Sequence, residues 1–129
     1  MVAVTDLPAI SLFSGVGGLD LGAHRVGFRI RSAVEFDRDS AASLRANQFR
    51  ERPDAVLERS IVGLATGEIL ERSGLAVGEA ALVIGGPPCT PFSKSGNWLE
   101  YKRTGNDPGA SLLDEFARVV VEARRAEQA

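Results

Sequence analysis

The sequence predicts an α/β domain on a mainly parallel sheet, and three observations carry that prediction. Short apolar runs of strand length alternate with segments whose apolar residues recur at helical spacing. Glycine or proline marks most of the handovers between them. With 129 residues, 44% hydrophobic and 25% charged, the chain can build one core but not two, so the alternation is assigned to a single domain over residues 1–129.

The elements follow in order. Residues 9–14 (Ala-Ile-Ser-Leu-Phe-Ser) form an apolar run ending at a glycine cluster, which reads as a buried strand. From Gly18 to Val26, the apolar residues Leu19, Leu21, Ala23 and Val26 suit a short helix stopped by Gly27. A second strand is expected over 29–36, then a helix from Arg38 to Gln48 capped by Asp37 or Asp39. The polar stretch 50–60 contains Pro53 and leads into a weak strand near Val56–Ile61. A helix over Gly67–Ser73 ends at Gly74, and residues 80–84 (Ala-Ala-Leu-Val-Ile) make another buried strand. Residues 96–109, with three glycines and a proline, read as a loop; Leu112, Phe116, Val119, Val120 and Ala123 then place a helix over Ser111–Arg125. No internal repeat, low-complexity tract or linker interrupts the pattern.

Composition narrows the function classes. No run of about 18 apolar residues is present, so no membrane span is expected. Nor does the N-terminus carry the basic, apolar and small-residue pattern of a secretion signal. One cysteine, Cys89, rules out an internal disulfide and a multi-cysteine metal site, so the expected setting is the reducing cytoplasm and no metal is expected. The net charge is −2, without the basic surplus of a protein that grips DNA unaided. The 13 arginines are scattered, which fits a G+C-rich genome better than a phosphate-binding stripe. His24, inside the first helix, reads as a surface or packing residue.

Two loops concentrate the chemistry. Ser14-Gly15-Val16-Gly17-Gly18 sits where the first strand hands over to a helix, a turn that lets backbone approach a ligand and aims helix amides at it. The dinucleotide fingerprint needs glycine at its first, third and sixth positions; counted from Gly15 the third is Gly17 but the sixth is Asp20, which disfavours a nicotinamide cofactor. Glu35 follows Gly15 by 20 residues, close to the roughly 20 that separate a phosphate loop from a ribose-binding acid, so loop and acid together favour an adenosine-bearing cofactor. The second loop is Gly85-Gly86-Pro87-Pro88-Cys89-Thr90-Pro91-Phe92-Ser93. Prolines flanking Cys89 cannot donate to a sheet ladder, so the cysteine belongs to a stiff loop beyond a strand's carboxyl end, where open α/β sheets bind ligands. That setting suits a nucleophile better than a core filler.

The runs Phe13-Ser14-Gly15-Val16-Gly17-Gly18-Leu19, Val34-Glu35-Phe36-Asp37 and Gly86-Pro87-Pro88-Cys89-Thr90-Pro91-Phe92-Ser93 resemble, in order and spacing, the first blocks of DNA cytosine-5 methyltransferases. The resemblance covers the chain from about Ile10 to the final helix. It implies a partial doubly wound, Rossmann-like domain that binds S-adenosylmethionine, forming the N-terminal portion of a catalytic domain without its target-recognition domain. It further implies that Phe13 lies near the methionine and sulfonium portion, with Ser14 and Leu19 in the same cofactor-binding run, and that Gly15, Gly17 and Gly18 admit the cofactor. Glu35 would hold the ribose hydroxyls, Phe36 and Ile61 would pack on adenine, and Pro88 would border the site. Cys89 would attack carbon 6 of a flipped-out cytosine in DNA, making carbon 5 nucleophilic. Ser93, Lys94, Lys102 and Arg103 are the candidate DNA contacts, the last two in an aromatic–basic loop with Trp98 and Tyr101.

Three departures accompany the resemblance. The family's acid for the adenine amino group is replaced by Ser60, and the residue after the cysteine is Thr90 rather than the usual glutamine. No Glu-Asn pair follows Cys89, so the family's later blocks are not found here. The expected partners are therefore DNA and a complementary methyltransferase chain, without which the 129 residues are expected to be inactive. Competing readings are a non-catalytic module that binds the cofactor or pairs with another chain, and a fragment of an RNA cytosine-5 methyltransferase.

Overall fold

The computed structural model describes residues 7–87 and 108–124. Its strands are β1 (Leu7–Leu12), β2 (Phe28–Val34), β3 (Val56–Leu57) and β4 (Leu82–Gly85). Its helices are α1 (Gly18–Arg25), α2 (Arg38–Ala46), α3 (Thr66–Ser73) and α4 (Pro108–Ala123), with a 3₁₀ turn at Pro53–Ala55. All strand pairings are parallel, in the order β3-β2-β1-β4. This is the expected α/β class, part of a doubly wound fold.

The two faces of the sheet carry separate apolar layers. Ala9, Ile30, Ala33 and Val56 pack with Ala23 of α1, Ala41 and Leu44 of α2, and Phe49. Ile10, Leu12, Val34 and Leu57 pack on the other face with Ile61, Leu64, Ile69 and Leu70 of the α3 region and Val119 of α4. Alternation along β1 explains the split: Ala9 joins one layer, Ile10 and Leu12 the other. Ile10, Leu12, Ile69 and Val119 are fully buried, each worth about 1.5–3 kcal/mol of burial. Relative to β1, β2 carries one extra residue at Arg31, between the pairings Ala9–Ile30 and Ile10–Ser32.

Several boundaries differ from the sequence expectation, each for a local reason. The first strand ends at Leu12 rather than residue 14, because Phe13 turns the chain with φ 53°. The second stops at Val34, where Glu35 still donates its amide to the Leu57 carbonyl but begins the turn into α2. Asp37, not Asp39, caps α2: its carboxylate accepts from the Ser40 amide at 2.8 Å, and those bonds hold its carboxyl below the usual carboxylate range. α2 ends at Ala46, and β3 is two residues long rather than reaching Ile61. β4 is shifted to 82–85 from the expected 80–84, and α4 begins three residues earlier than Ser111. Pro108 and Gly109 thus belong to the helix, whose first turn loses nothing by a proline's missing amide; the rest of the expected loop lies outside the described residues.

The largest correction concerns α1. Leu19, Leu21 and Val26, expected on its apolar face, are 52%, 51% and 73% exposed, while Asp20 and Ala23 are the buried pair. The helix docks by a carboxylate that finds hydrogen-bond partners beneath it, not by its larger apolar residues.

Chain order reverses at β1. It runs from β1 to β2 and β3 on one side, then returns to place β4 on the other, so a switch point lies between the carboxyl ends of β1 and β4. Leu12 pairs with Gly85 there. A Cβ on Gly85 would collide with the Leu12 carbonyl oxygen and come within 3.0 Å of the Phe116 ring. Gly85→Ala should therefore destabilise the fold by about 3 kcal/mol, as overpacking against backbone does, measured as a lower urea midpoint with unchanged slope.

Candidate functional site

The site grows from the carboxyl ends of β1 and β2. β1 runs into Phe13 and the glycine loop, and β2 runs into Glu35 and Phe36. Phe13 has φ 53°, a conformation that costs a non-glycine residue about 1–3 kcal/mol. Its ring lies parallel to Phe116 of α4, with centroids 6.4 Å apart and planes 12° apart, which holds the strained residue in place. Gly17, at the N-terminus of α1, has φ 98°. A Cβ there would lie 2.6 Å from the Gln48 side-chain oxygen and 3.1 Å from Leu44, so the residue after α2 closes over it. Beside Gly15 and Gly18, by contrast, a Cβ would meet no described atom within 4 Å.

Loop and acid are bonded to each other. Glu35 Oε1 accepts from the Gly15 amide at 2.7 Å, and Oε2 accepts from the Asp37 amide at 2.8 Å. Each carboxylate oxygen keeps capacity for a further donor. Phe36, directly after it, is 74% exposed, an aromatic face left open next to a fixed carboxylate. Ile61 is 3% exposed and packs in the layer with Val34 and Leu57, so it offers a floor rather than an open face. Arg118 of α4 braces that segment by donating to the Ile61 carbonyl at 3.2 Å and to Thr66 Oγ1. Ser60 spends its hydroxyl on a local turn, accepting from the Val62 amide at 3.1 Å.

Sequence reasoning used Asp20 only to reject a dinucleotide cofactor. Asp20 is in fact the most buried acid among the described residues, 1% exposed. Its carboxylate accepts from Ser11 Oγ at 2.6 Å and from Gln48 Nε2 at 3.0 Å. Burial pushes its carboxyl up, and those two bonds pull it back. Ser11 Oγ also meets Ser14 Oγ at 2.7 Å. The available signal was the pairing of Ser11 and Ser14 around Phe13 with an acid at the N3 position of the next helix. Ser11, Ser14, Asp20, Gln48 and Phe116 all join the site's support without having been marked for it, except Ser14.

Glu35, Phe36, Gly15, Gly17 and Gly18 are thus brought together; Leu19 is near in sequence but exposed on α1. Pro88, Cys89, Thr90, Ser93, Lys94, Trp98, Tyr101, Lys102 and Arg103 lie outside the described residues. β4 ends at Gly85 beside Leu12, so the chain leaves for that segment next to the end of β1. A cleft of about 810 Å³ between α1 and residues 47–52 shares Val16 and Gly17 with the glycine loop and is also lined by His24, Gln48, Phe49 and Arg52; Glu35 does not line it. Arg52 there donates to the Ile30 and Arg31 carbonyls and sits 5.9 Å over the Phe49 ring, so it serves packing. His24 is exposed, in keeping with a surface role. No metal-ligating cluster and no helix long and apolar enough to cross a membrane occur among the described residues.

The glycine loop after β1 and the acid after β2 are thus bonded along the carboxyl edge of a parallel α/β sheet, the edge where such sheets bind ligands. The sequence profile of the C-5 cytosine-specific DNA methylases matches residues 7–125, and the chain belongs to that family. It is 44% identical to the type II methyltransferase M.SacI of Streptomyces achromogenes over 92% of this chain and 33% of that one. It is 47% identical to the type II methyltransferase M.AquIA of Picosynechococcus sp. over 88% of this chain and 43% of that one. A solved E. coli prophage protein, described as a DNA modification methyltransferase, superposes with a TM-score of 0.65 at 31% identity, covering 92% of this chain and 29% of that one. The chain therefore spans a third to under half of the length of these two curated relatives.

Gly17→Ala tests the geometry of the loop. The left-handed backbone and the clash with Gln48 should together cost about 2 kcal/mol, read from equilibrium urea unfolding.

Proposed function

We propose that this chain supplies the cofactor cradle and the nucleophile of a DNA cytosine-5 methyltransferase, acting in the cytoplasm with further protein that provides the parts its longer relatives carry. The hydrogen bond from the Gly15 amide to Glu35 is the observation that carries the cofactor reading. It ties the glycine loop directly to the acid, and it leaves Glu35 with an unused acceptor position on each oxygen, as a group that is to receive ribose hydroxyls requires. Open space at Gly15 and Gly18 and the exposed Phe36 ring fit the remainder of S-adenosylmethionine.

S-adenosylmethionine supplies the methyl group when bound. In this reading Glu35 receives the two ribose hydroxyls, Phe36 packs on the adenine and Ile61 forms the floor, with Phe13, Ser14, Gly17, Leu19 and Pro88 completing the surround. The Cys89 thiolate adds to carbon 6 of a flipped cytosine and moves an electron pair toward carbon 5. Ser93, Lys94, Lys102 and Arg103 meet the DNA strand. Support comes from family membership over residues 7–125 and from relatives named as type II methyltransferases.

Two measurements test this. Calorimetry with S-adenosylhomocysteine should show binding by the folded chain, and Glu35→Ala should weaken it by about 2 kcal/mol as a charged acceptor is lost. No heat at millimolar ligand on a folded sample would count against the cradle. For the nucleophile, the chain is combined with a polypeptide carrying the parts of M.SacI beyond the matched third. Duplex DNA with 5-fluorocytosine at the target should then become covalently attached, because fluorine cannot leave carbon 5 as a cation and the bond to sulfur persists. The chain alone should transfer little methyl, and Cys89→Ser in the combined sample should abolish the adduct. Full methylation by the Cys89→Ser sample would overturn the mechanism.

A further inference from the structure

Asp20 is a buried carboxylate without a cation: among the described residues no lysine, arginine or histidine pairs with it. Such a group is a poor way to stabilise a helix–sheet contact, since a well-packed apolar residue of similar volume usually does at least as well. What it does instead is fix proton directions. A carboxylate only accepts, so the Ser11 hydroxyl must donate to Asp20. Having one proton, Ser11 must then accept from Ser14, and the bond between the two hydroxyls has a single direction. On its other oxygen Asp20 accepts from Gln48, whose side-chain oxygen closes over Gly17. A chain of hydrogen bonds therefore runs from Ser14 through Ser11 to Asp20 and on to Gln48, touching both ends of the glycine loop. The residue after Ser14 is Gly15, whose amide holds Glu35. Asp20 also lies in the first turn of α1, where the helix N-terminus favours negative charge and helps tolerate its burial.

We propose that Asp20 is the positioning residue of the cradle: through Ser11 and Ser14 it sets the Gly15 amide against Glu35 and so aims the carboxylate that receives the ribose hydroxyls. This rests on the cofactor reading above, and the effect on the loop can be measured without any ligand.

The 129-residue chain is examined by calorimetry with S-adenosylhomocysteine and by proton–nitrogen correlation spectra, in which the Gly15 amide reports its bond to Glu35. Asp20→Ala should lower affinity about tenfold or more and move the Gly15 amide upfield. Asp20→Asn should stay within about threefold of wild type, because its amide oxygen still accepts from Ser11 and Gln48 can turn its own amide to match. Ser32→Ala is the control: it removes a buried serine–serine bond to Ser73 of α3 that shares no residue with the Asp20 chain, and should lower the melting temperature while leaving affinity and the Gly15 resonance unchanged. If Asp20→Ala does not fold, Ser14→Ala breaks the same chain one link further on and should give the same losses. An unmoved Gly15 amide with unchanged affinity in Asp20→Ala or Ser14→Ala would overturn the proposal, as would an equal loss of affinity in Ser32→Ala. If the wild-type chain binds no S-adenosylhomocysteine, the cofactor reading fails by itself. The Gly15 resonance then still decides the relay: a shift in Asp20→Ala upholds it, and none overturns it.

Discussion

The sheet can close around its central strand only because Gly85 has no side chain. With any Cβ at that position the Leu12 carbonyl would be struck, and β4 could not lie level with β1 at its carboxyl end. Much else hangs on this one approach. Phe116 lies over the same spot and stacks on Phe13, so α4 is registered against the turn that starts the glycine loop. The strained backbone of Phe13 is held by that stack rather than by its own preferences. Strand pairing, helix docking and the start of the site are therefore one coupled contact.

Away from that contact, small residues dominate the layer beneath α1 and α2: Ala9, Ala23, Ala33 and Ala41. Alanines bring elements close but bury little area each. Polar contacts add the specificity that area alone does not. Asp20 fixes α1 over Ser11, Ser32 meets Ser73 of α3 at 2.7 Å, and Arg118 fixes α4 to the Ile61 carbonyl and Thr66. Each of these buried or half-buried groups has a partner of good geometry, and each joins a helix to the sheet edge or to a loop beside it.

The charge of the chain bears on the proposed contact with DNA. A net charge of −2 gives little of the sequence-independent phosphate attraction on which nucleic-acid binding usually draws. Where the arginines can be followed, several are spent internally: Arg31 on the Ser73 carbonyl, Arg52 on two carbonyls of β2, Arg118 on α4 and its neighbours, Arg45 on Glu58. These four arginines serve contacts within the chain.

How much was legible differs by element. The alternation of apolar runs and glycine stops determined the α/β class, the existence and order of the elements, and the helix ends at Gly27 and Gly74, because these depend on local periodicity and on residues with special backbone preferences. The separation of Gly15 from Glu35 likewise pointed to one site, and the two are joined by a 2.7 Å bond. The buried face of α1 was misread, since Leu19, Leu21 and Val26 have the apolarity of a core stripe while Asp20 has the burial. Hydrophobicity cannot foresee a carboxylate made welcome by partners contributed from β1 and from beyond α2. So the sequence by itself determined which elements form and which residues could make a nucleotide site. Only the tertiary structure decided which face of α1 turns inward, how closely β4 approaches β1, and how the loop is braced, because each depends on atoms distant in the chain meeting at hydrogen-bond or van der Waals range.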